Sequence, residues 1–217
     1  SAHAQCWNAT QESFSATDEQ CGRVKAHLAT LAKRGVLIRE VRSSVVCTQQ
    51  LNRNRELGIN RFTSDLHAME RLVLRLRESA GAPVLAVCGK VGGIGEYAKF
   101  FGPLAGWLHA TIVEGQAESA YQFPKLGRLR FVRDADAHAP LVMLASLVGK
   151  YVRELFMSRI AGHYPTDDEM ARPSGYHDPV TAAFVERTAL VRKRRRLPDR
   201  CFERDREPLP KARVTPA

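Results

Sequence analysis

The chain has 217 residues, a hydrophobic content of 44% and a formal net charge of +10, the size and composition of one α/β domain, or of one domain with a tail. It has no apolar run of about 18 residues and no basic-then-apolar start, so we expect neither a transmembrane helix nor a signal peptide. The positive charge predicts an anionic partner, nucleic acid first and a membrane surface second, and we expect nucleic acid and no membrane.

The cysteines indicate a reducing environment. They are five in number and widely spaced, with no Cys-x-x-Cys pair: Cys6, Cys21, Cys47, Cys88 and Cys201. An odd count at wide spacing favours free thiols and argues against disulfides or a structural zinc site. We therefore expect a cytoplasmic protein, and we expect it to be a monomer.

The sequence of the N-terminal part predicts two helices, with a strand and a loop between them. Residues 1–16 are polar and predict a loosely ordered segment. An apolar stripe behind the capping residue Asp18 predicts a helix over 18–34. Alternating apolar residues predict a strand over 36–47, and polar residues predict a loop over 49–61. A second helix, capped by Thr63 or Ser64, is predicted to end near residue 80.

The rest of the chain predicts an α/β sheet. Residues 84–88 are wholly apolar, which is typical of a central strand buried on both faces. Further strands are predicted over 107–114 and 128–133. Proline at the start favours a long helix over 140–163, and a last helix is predicted over 178–194. We predict a mixed central sheet flanked by helices.

Two carboxylates follow the predicted strand over 128–133. Asp134 and Asp136 alternate along the chain, so a strand would direct both to one face. Open α/β sheets usually place their sites at the carboxyl ends of strands, and oxygen ligands suit Mg²⁺ or Mn²⁺. The alternative is that Asp136 caps the following helix or lies at a surface strand end, and that Asp134 is a solvated turn residue.

A glycine-rich turn over 89–95 follows the apolar strand. It lacks the spacing of a nucleotide-binding loop, but it could approach a nucleic-acid backbone with Lys90 on a phosphate. A simple tight turn is the alternative.

Basic residues are concentrated near the C-terminus. Residues 192–217 contain ten Lys/Arg against four Asp/Glu, which is +6 of the +10. Five cations are consecutive: Arg192, Lys193, Arg194, Arg195 and Arg196. Such a run binds phosphates by counterion release, although cations also stabilise a solvated helix end. Lys150 is either a further phosphate contact or an exposed helix charge.

The segment around Asp136 resembles the last catalytic-acid segment of type-2 ribonucleases H. The matching residues, without gaps, are Ala135-Asp136-Ala137, Pro140, Val142, Ala145-Ser146, Lys150 and Arg153-Glu154. Gly175-Tyr176 is similar to the tyrosine motif of that family, and residues 84–89 are similar to the family's central strand, which normally ends in Asp-Gly. The resemblance extends over roughly residues 20–200, with insertions around residues 90–125.

The resemblance implies a ribonuclease H-like domain over residues 17–197, followed by a Pro-rich charged tail over 198–217. It also implies a metal-dependent endonuclease, requiring Mg²⁺ or Mn²⁺, that hydrolyses the RNA strand of RNA–DNA hybrids. Asp136 would be a catalytic metal ligand, and Tyr176 would stack on the substrate. The family pattern assigns no role to Asp134, whose prediction as a metal ligand rests on its alternation with Asp136.

The family's first acidic motif, on its opening strand, is not matched, so we expect the chain to lack that strand. The family's third acid would lie at Cys88, or at Gly89 if the register shifts by one, and neither residue is a carboxylate. Two functions therefore remain open: a nuclease, if the missing acids are supplied, or a nucleic-acid-binding module on the same scaffold. A third, weaker possibility is a structural platform.

Overall fold

Three helices precede the four described strands and three helices follow them, and together they form a mixed α/β fold. The computed structural model describes residues 16–91, 93–164, 173–176 and 178–205. Its elements in chain order are α1 (Asp18–Lys33), α2 (Thr48–Glu56), α3 (Arg61–Ala80), β1 (Val84–Gly89), β2 (Ala110–Glu114), β3 (Glu118–Phe123), β4 (Gly127–Val132), α4 (Ala135–His138), α5 (Pro140–His163) and α6 (Pro179–Arg194). Short 3₁₀ turns lie at Ala98–Phe100 and Asp199–Cys201.

The four strands form one sheet in the order β1-β4-β3-β2. Strand β1 is parallel to β4, with Val84 opposite Gly127 and Cys88 opposite Phe131, and the other two pairs are antiparallel. The prediction that β1 is a central strand is therefore wrong for the described sheet, where it lies at an edge. Its apolar composition has another cause, because the helices α3, α4 and α5 all contact it.

The hydrophobic core lies between α3 and the sheet. Its buried members are Leu66, Val73, Tyr97, Leu104, Tyr121, Phe123, Leu126, Leu129 and Phe131. The rings of Tyr97 and Phe131 stack with their centroids 4.1 Å apart. Buried Glu70 accepts a hydrogen bond from the backbone N–H of Leu104 at 2.7 Å, and burial raises the pKa of this carboxyl. A carboxylate inside the core therefore holds the chain after residue 100 against α3.

The structure corrects the N-terminal predictions at three places. Residues 36–46 form no strand, since no described strand offers them a partner. The predicted loop over 49–61 contains α2 instead. The N-cap of helix α3 is Asn60, three or four residues earlier than predicted, and its side chain accepts a hydrogen bond from the N–H of Thr63 at 2.9 Å.

A tertiary contact explains α2. The side-chain amide of Asn52 is 2% exposed. It donates to the carbonyls of Arg200 at 2.9 Å and Glu203 at 2.8 Å, and it accepts from the N–H of Asp205 at 3.0 Å. Residues 198–205, predicted to begin a charged tail, therefore pack against the domain; residues 206–217 and 1–15 lie outside the described residues.

Helix α1 contributes nothing to this core. It is well formed, with a capping box between Thr17 and Gln20, and none of its residues is buried.

Candidate nucleic-acid interface

The two predicted metal ligands lie at the carboxyl end of β4 but not in the predicted geometry. Strand β4 ends at Val132, and Asp134 turns the backbone with a φ of 51° before α4 begins. Both carboxylates are exposed, and Asp134 is paired only weakly with Arg133, at 3.8 Å. The expectation that alternation along a strand directs both to one face is wrong, because Asp136 belongs to a helix.

The described donors do not form the ligand set of a two-metal site. Within the ranges that the structure describes, no group of three or more His, Cys, Asp or Glu side chains could hold a metal ion. Cys88 lies on β1, and its burial raises the pKa of the thiol to about 12. The thiol is therefore protonated at neutral pH, and sulfur is a poor ligand for Mg²⁺. Two metal ions need several oxygen ligands to position them, and the described side chains do not form such a set.

Lys90 lies within a half-buried polar network. Its ammonium donates a hydrogen bond to the hydroxyl of buried Ser119 and lies 4.7 Å from the ring centroid of Tyr97. Partial burial lowers the pKa of Lys90, while the carboxylates of Glu114 and Glu118 act in the opposite direction. These contacts join Lys90 to β3 and to Tyr97, and its contact with a phosphate stays a prediction.

Tyr176 and Arg153 form a stacked pair. The Tyr176 side chain is 62% exposed, and the guanidinium carbon of Arg153 lies 4.0 Å from the ring centroid. The turn before Tyr176 requires glycine, since Gly175 has a φ of +77° and a Cβ there would lie 2.6 Å from the sulfur of Met157. Among the described residues, the Arg153 Nε–H is buried without a hydrogen-bond partner. The pair presents a flat aromatic face to solvent beside a cation.

Lys150 lies one turn before Arg153 on α5. Its side chain is 66% exposed, and its ammonium is 3.9 Å from the carboxylate of Glu154. Exposed i,i+4 pairs of this kind are weak, so Lys150 remains available to an anion.

The five consecutive cations divide into two kinds. Arg192 is 2% exposed, and its guanidinium donates to the carbonyl of Val185 at 2.6 Å and pairs with Asp199 and Glu203, each at 3.3 Å. It also lies 4.2 Å from the ring centroid of Phe202. Its expected phosphate contact does not agree with this position, because the side chain is inside the protein.

The other four members of the run are exposed: Lys193, Arg194, Arg195 and Arg196. Arg195 donates to Nε2 of His163 at 2.6 Å and so joins the end of α6 to the end of α5. Burial and the nearby Arg195 lower the pKa of His163. The contact requires neutral imidazole, since Nε2 must accept the hydrogen bond.

Sequence reasoning assigned no role to Arg153 or His163. Arg153 had a usable signal, because it follows Lys150 by three residues on a predicted helix and therefore lies close to it. The Arg195 contact of His163 depends on how α5 and α6 pack, which no local pattern encodes.

Comparison with known proteins finds no matching family model, no matching curated protein and no matching solved structure. The resemblance to type-2 ribonucleases H thus rests on the quoted residues alone. Among the described residues, no helix is long and apolar enough to cross a membrane.

Proposed function

We propose that the protein binds nucleic acid on the exposed side of α5 and the end of α6. This basic surface comprises Lys150, Arg153, Tyr176, Lys193, Arg194, Arg195 and Arg196. The observation that carries the proposal is the exposed Tyr176 ring stacked on Arg153 and accompanied by exposed cations.

The chemistry of this surface suits a polyanion with aromatic bases. Aromatic rings and guanidinium planes stack on bases or sugars, and exposed cations contact phosphates. Lys193, Arg194 and Arg196 have no acidic partner among the described residues. From Lys150 to His163, α5 extends over about 20 Å, which corresponds to roughly six nucleotide steps at 3.4 Å each.

The proposed ligand is an RNA–DNA hybrid or another duplex, as the family resemblance suggests. The enzymatic alternative is hydrolysis of the RNA strand with Asp136 as a metal ligand and Mg²⁺ or Mn²⁺ as the cofactor. It is favoured by the two exposed carboxylates beyond the end of a strand. Binding is the better-supported function, since the described carboxylates do not assemble into a metal site.

The salt dependence of binding separates the contribution of the cations from that of the Tyr176 ring. We would measure binding of a labelled RNA–DNA hybrid by the full chain over a range of salt concentrations. If about four cations contact phosphates, the logarithm of the affinity falls with the logarithm of the salt concentration with a slope of about −3.6. Arg194→Ala should reduce the slope by about 1. Tyr176→Ala should weaken binding and leave the slope unchanged, because the ring carries no charge.

Lys125→Ala is the matched control, because it removes an exposed cation in the turn between β3 and β4, outside the basic surface. Equal effects of Lys125→Ala and Arg194→Ala would reject the surface, and no hybrid binding at low salt would reject the function. Cleavage that requires Mg²⁺ or Mn²⁺ and is lost in Asp136→Asn would establish the enzymatic alternative instead.

A further inference from the structure

Helix α1 has an apolar stripe that packs on nothing in the core. Cys21, Val24, Leu28 and Leu31 follow each other at intervals of three, four and three residues, the a and d spacing of a two-helix seam. Val24, Leu28 and Leu31 are 57%, 41% and 40% exposed. A helix of 16 residues without tertiary packing is marginal in water. The stripe therefore calls for a partner that covers it.

The spacing of the stripe is the same in both chain directions. Cys21 and Leu31 lie five residues to either side of Ala26, and Val24 and Leu28 lie two residues to either side of it. An antiparallel copy related by a two-fold axis near Ala26 would thus place Cys21 opposite Leu31 and Val24 opposite Leu28. Such a self-complementary surface is what a two-fold interface requires.

The charges favour the same arrangement. Asp18 and Glu19 occupy the first turn of α1, whereas Lys33 and Arg34 occupy its end. Antiparallel pairing places the acidic end of one copy beside the basic end of the other, while parallel pairing places like charges together. Glu19 also pairs with Arg23 within the helix at 3.7 Å, but both side chains are largely exposed and such a pair is weak.

We propose that α1 pairs with α1 of a second copy of this chain as an antiparallel two-helix seam, which makes the protein a dimer. This goes beyond nucleic-acid binding and departs from the expectation of a monomer. The segment after α1 enlarges the available apolar surface, since five of its side chains are also exposed: Val36, Leu37, Ile38, Val41 and Val45.

Sedimentation equilibrium of the full chain tests the proposal. We expect a reversible monomer–dimer equilibrium. Leu28→Glu should raise the dissociation constant roughly 100-fold, because a symmetric dimer buries the substituted residue twice. Thr30→Glu is the matched control, since it adds the same charge to the opposite face of the same helix and should leave dimerisation nearly unchanged. A monomer at all concentrations, or equal effects of the two variants, would overturn the proposal.

Cross-linking tests the direction of the helices. Cys21 is a free thiol, and Leu31→Cys adds a second one that lies about 15 Å away along the same helix, too far for a disulfide within one chain. Under mild oxidation we expect a Cys21-to-position-31 disulfide between chains, identified by peptide mass spectrometry. Thr30→Cys should not form the equivalent bond. Disulfides joining Cys21 to Cys21, or no disulfide between α1 helices, would contradict the antiparallel seam.

Discussion

Arg192 provides the clearest test of how the basic run is divided. The five consecutive cations have similar chemistry, yet only Arg192 is buried. Its guanidinium packs on the ring of Phe202 and donates hydrogen bonds to the Val185 carbonyl and the Thr188 hydroxyl. We expect Arg192→Ala to destabilise the fold and Arg194→Ala to leave stability nearly unchanged.

The magnitude follows from the contacts that are lost. Hydrogen bonds from a charged guanidinium to the Val185 carbonyl and the Thr188 hydroxyl contribute about 1.5–3 kcal/mol each, and the contact with Phe202 adds about 1 kcal/mol. The desolvation of the guanidinium, whose Nε–H has no partner among the described residues, offsets part of this. Asp199 is largely exposed and regains water. We expect a net loss of about 3 kcal/mol, which lowers Tm by about 6–12 °C for a chain of this size.

Urea denaturation followed by circular dichroism measures the difference in unfolding free energy. Arg194→Ala should remain within about 0.5 kcal/mol of the unmodified protein. Arg192→Lys should recover only part of the loss, because an ammonium cannot reproduce the forked geometry of a guanidinium. The reasoning fails if the two alanine variants are equally stable, or if Arg192→Ala weakens hybrid binding without loss of stability.

Three further predictions concern other parts of the molecule. Gly127→Ala should cost at least about 2 kcal/mol in urea denaturation, because φ is +104° and a Cβ would lie 2.2 Å from the Val84 carbonyl oxygen; wild-type stability would contradict this. Cys88, with a thiol pKa of about 12, should react with iodoacetamide far more slowly in the native state than in urea. Mass spectrometry measures both alkylation rates, and equal rates would contradict the burial of this thiol. The pKa of His163 is lowered in the folded protein, so the unfolded chain binds a proton at this residue more readily. The free energy of unfolding is therefore highest above about pH 6.5, where His163 is neutral in both states, and falls as the pH drops below that value. Denaturation at about pH 7.5 and about pH 5.5 should show this loss, and Arg195→Ala should reduce it.

The elements that follow from local pattern were predicted well. Pro140 starts α5 and the apolar run over 84–88 forms β1, because a proline at the first helical turn and an uninterrupted apolar segment each have few local alternatives. The segment 36–46 has the alternation of a strand, but a strand needs a hydrogen-bonded neighbour that its own sequence does not supply. Helix α2 is the opposite case, because its sequence is too polar to predict a helix by local pattern. It is stabilised by hydrogen bonds between Asn52 and residues far along the chain.

The candidate site was predicted only in part. The exposure of Tyr176 and of four consecutive cations was accessible from polarity and position. The burial of Arg192 was not, because it depends on Phe202, Asp199 and Glu203 folding back across α6. The geometry of Asp136 was missed because the local sequence is compatible with two conformations. The strand could continue through Asp134 and Asp136, or it could end in a left-handed turn at Asp134 that is followed by α4, as the structure has it.

The three hydrogen bonds of Asn52 have a consequence for the order of events during synthesis. They join α2 to residues about 150 positions later in the chain. At about 5–20 residues per second, the ribosome needs roughly 7–30 s to make the intervening polypeptide. During that interval α2 emerges without the contacts that stabilise it, whereas α3 and the sheet can already assemble. The side of the domain built from α2, α6 and residues 198–205 is therefore completed only after residue 205 has been synthesised.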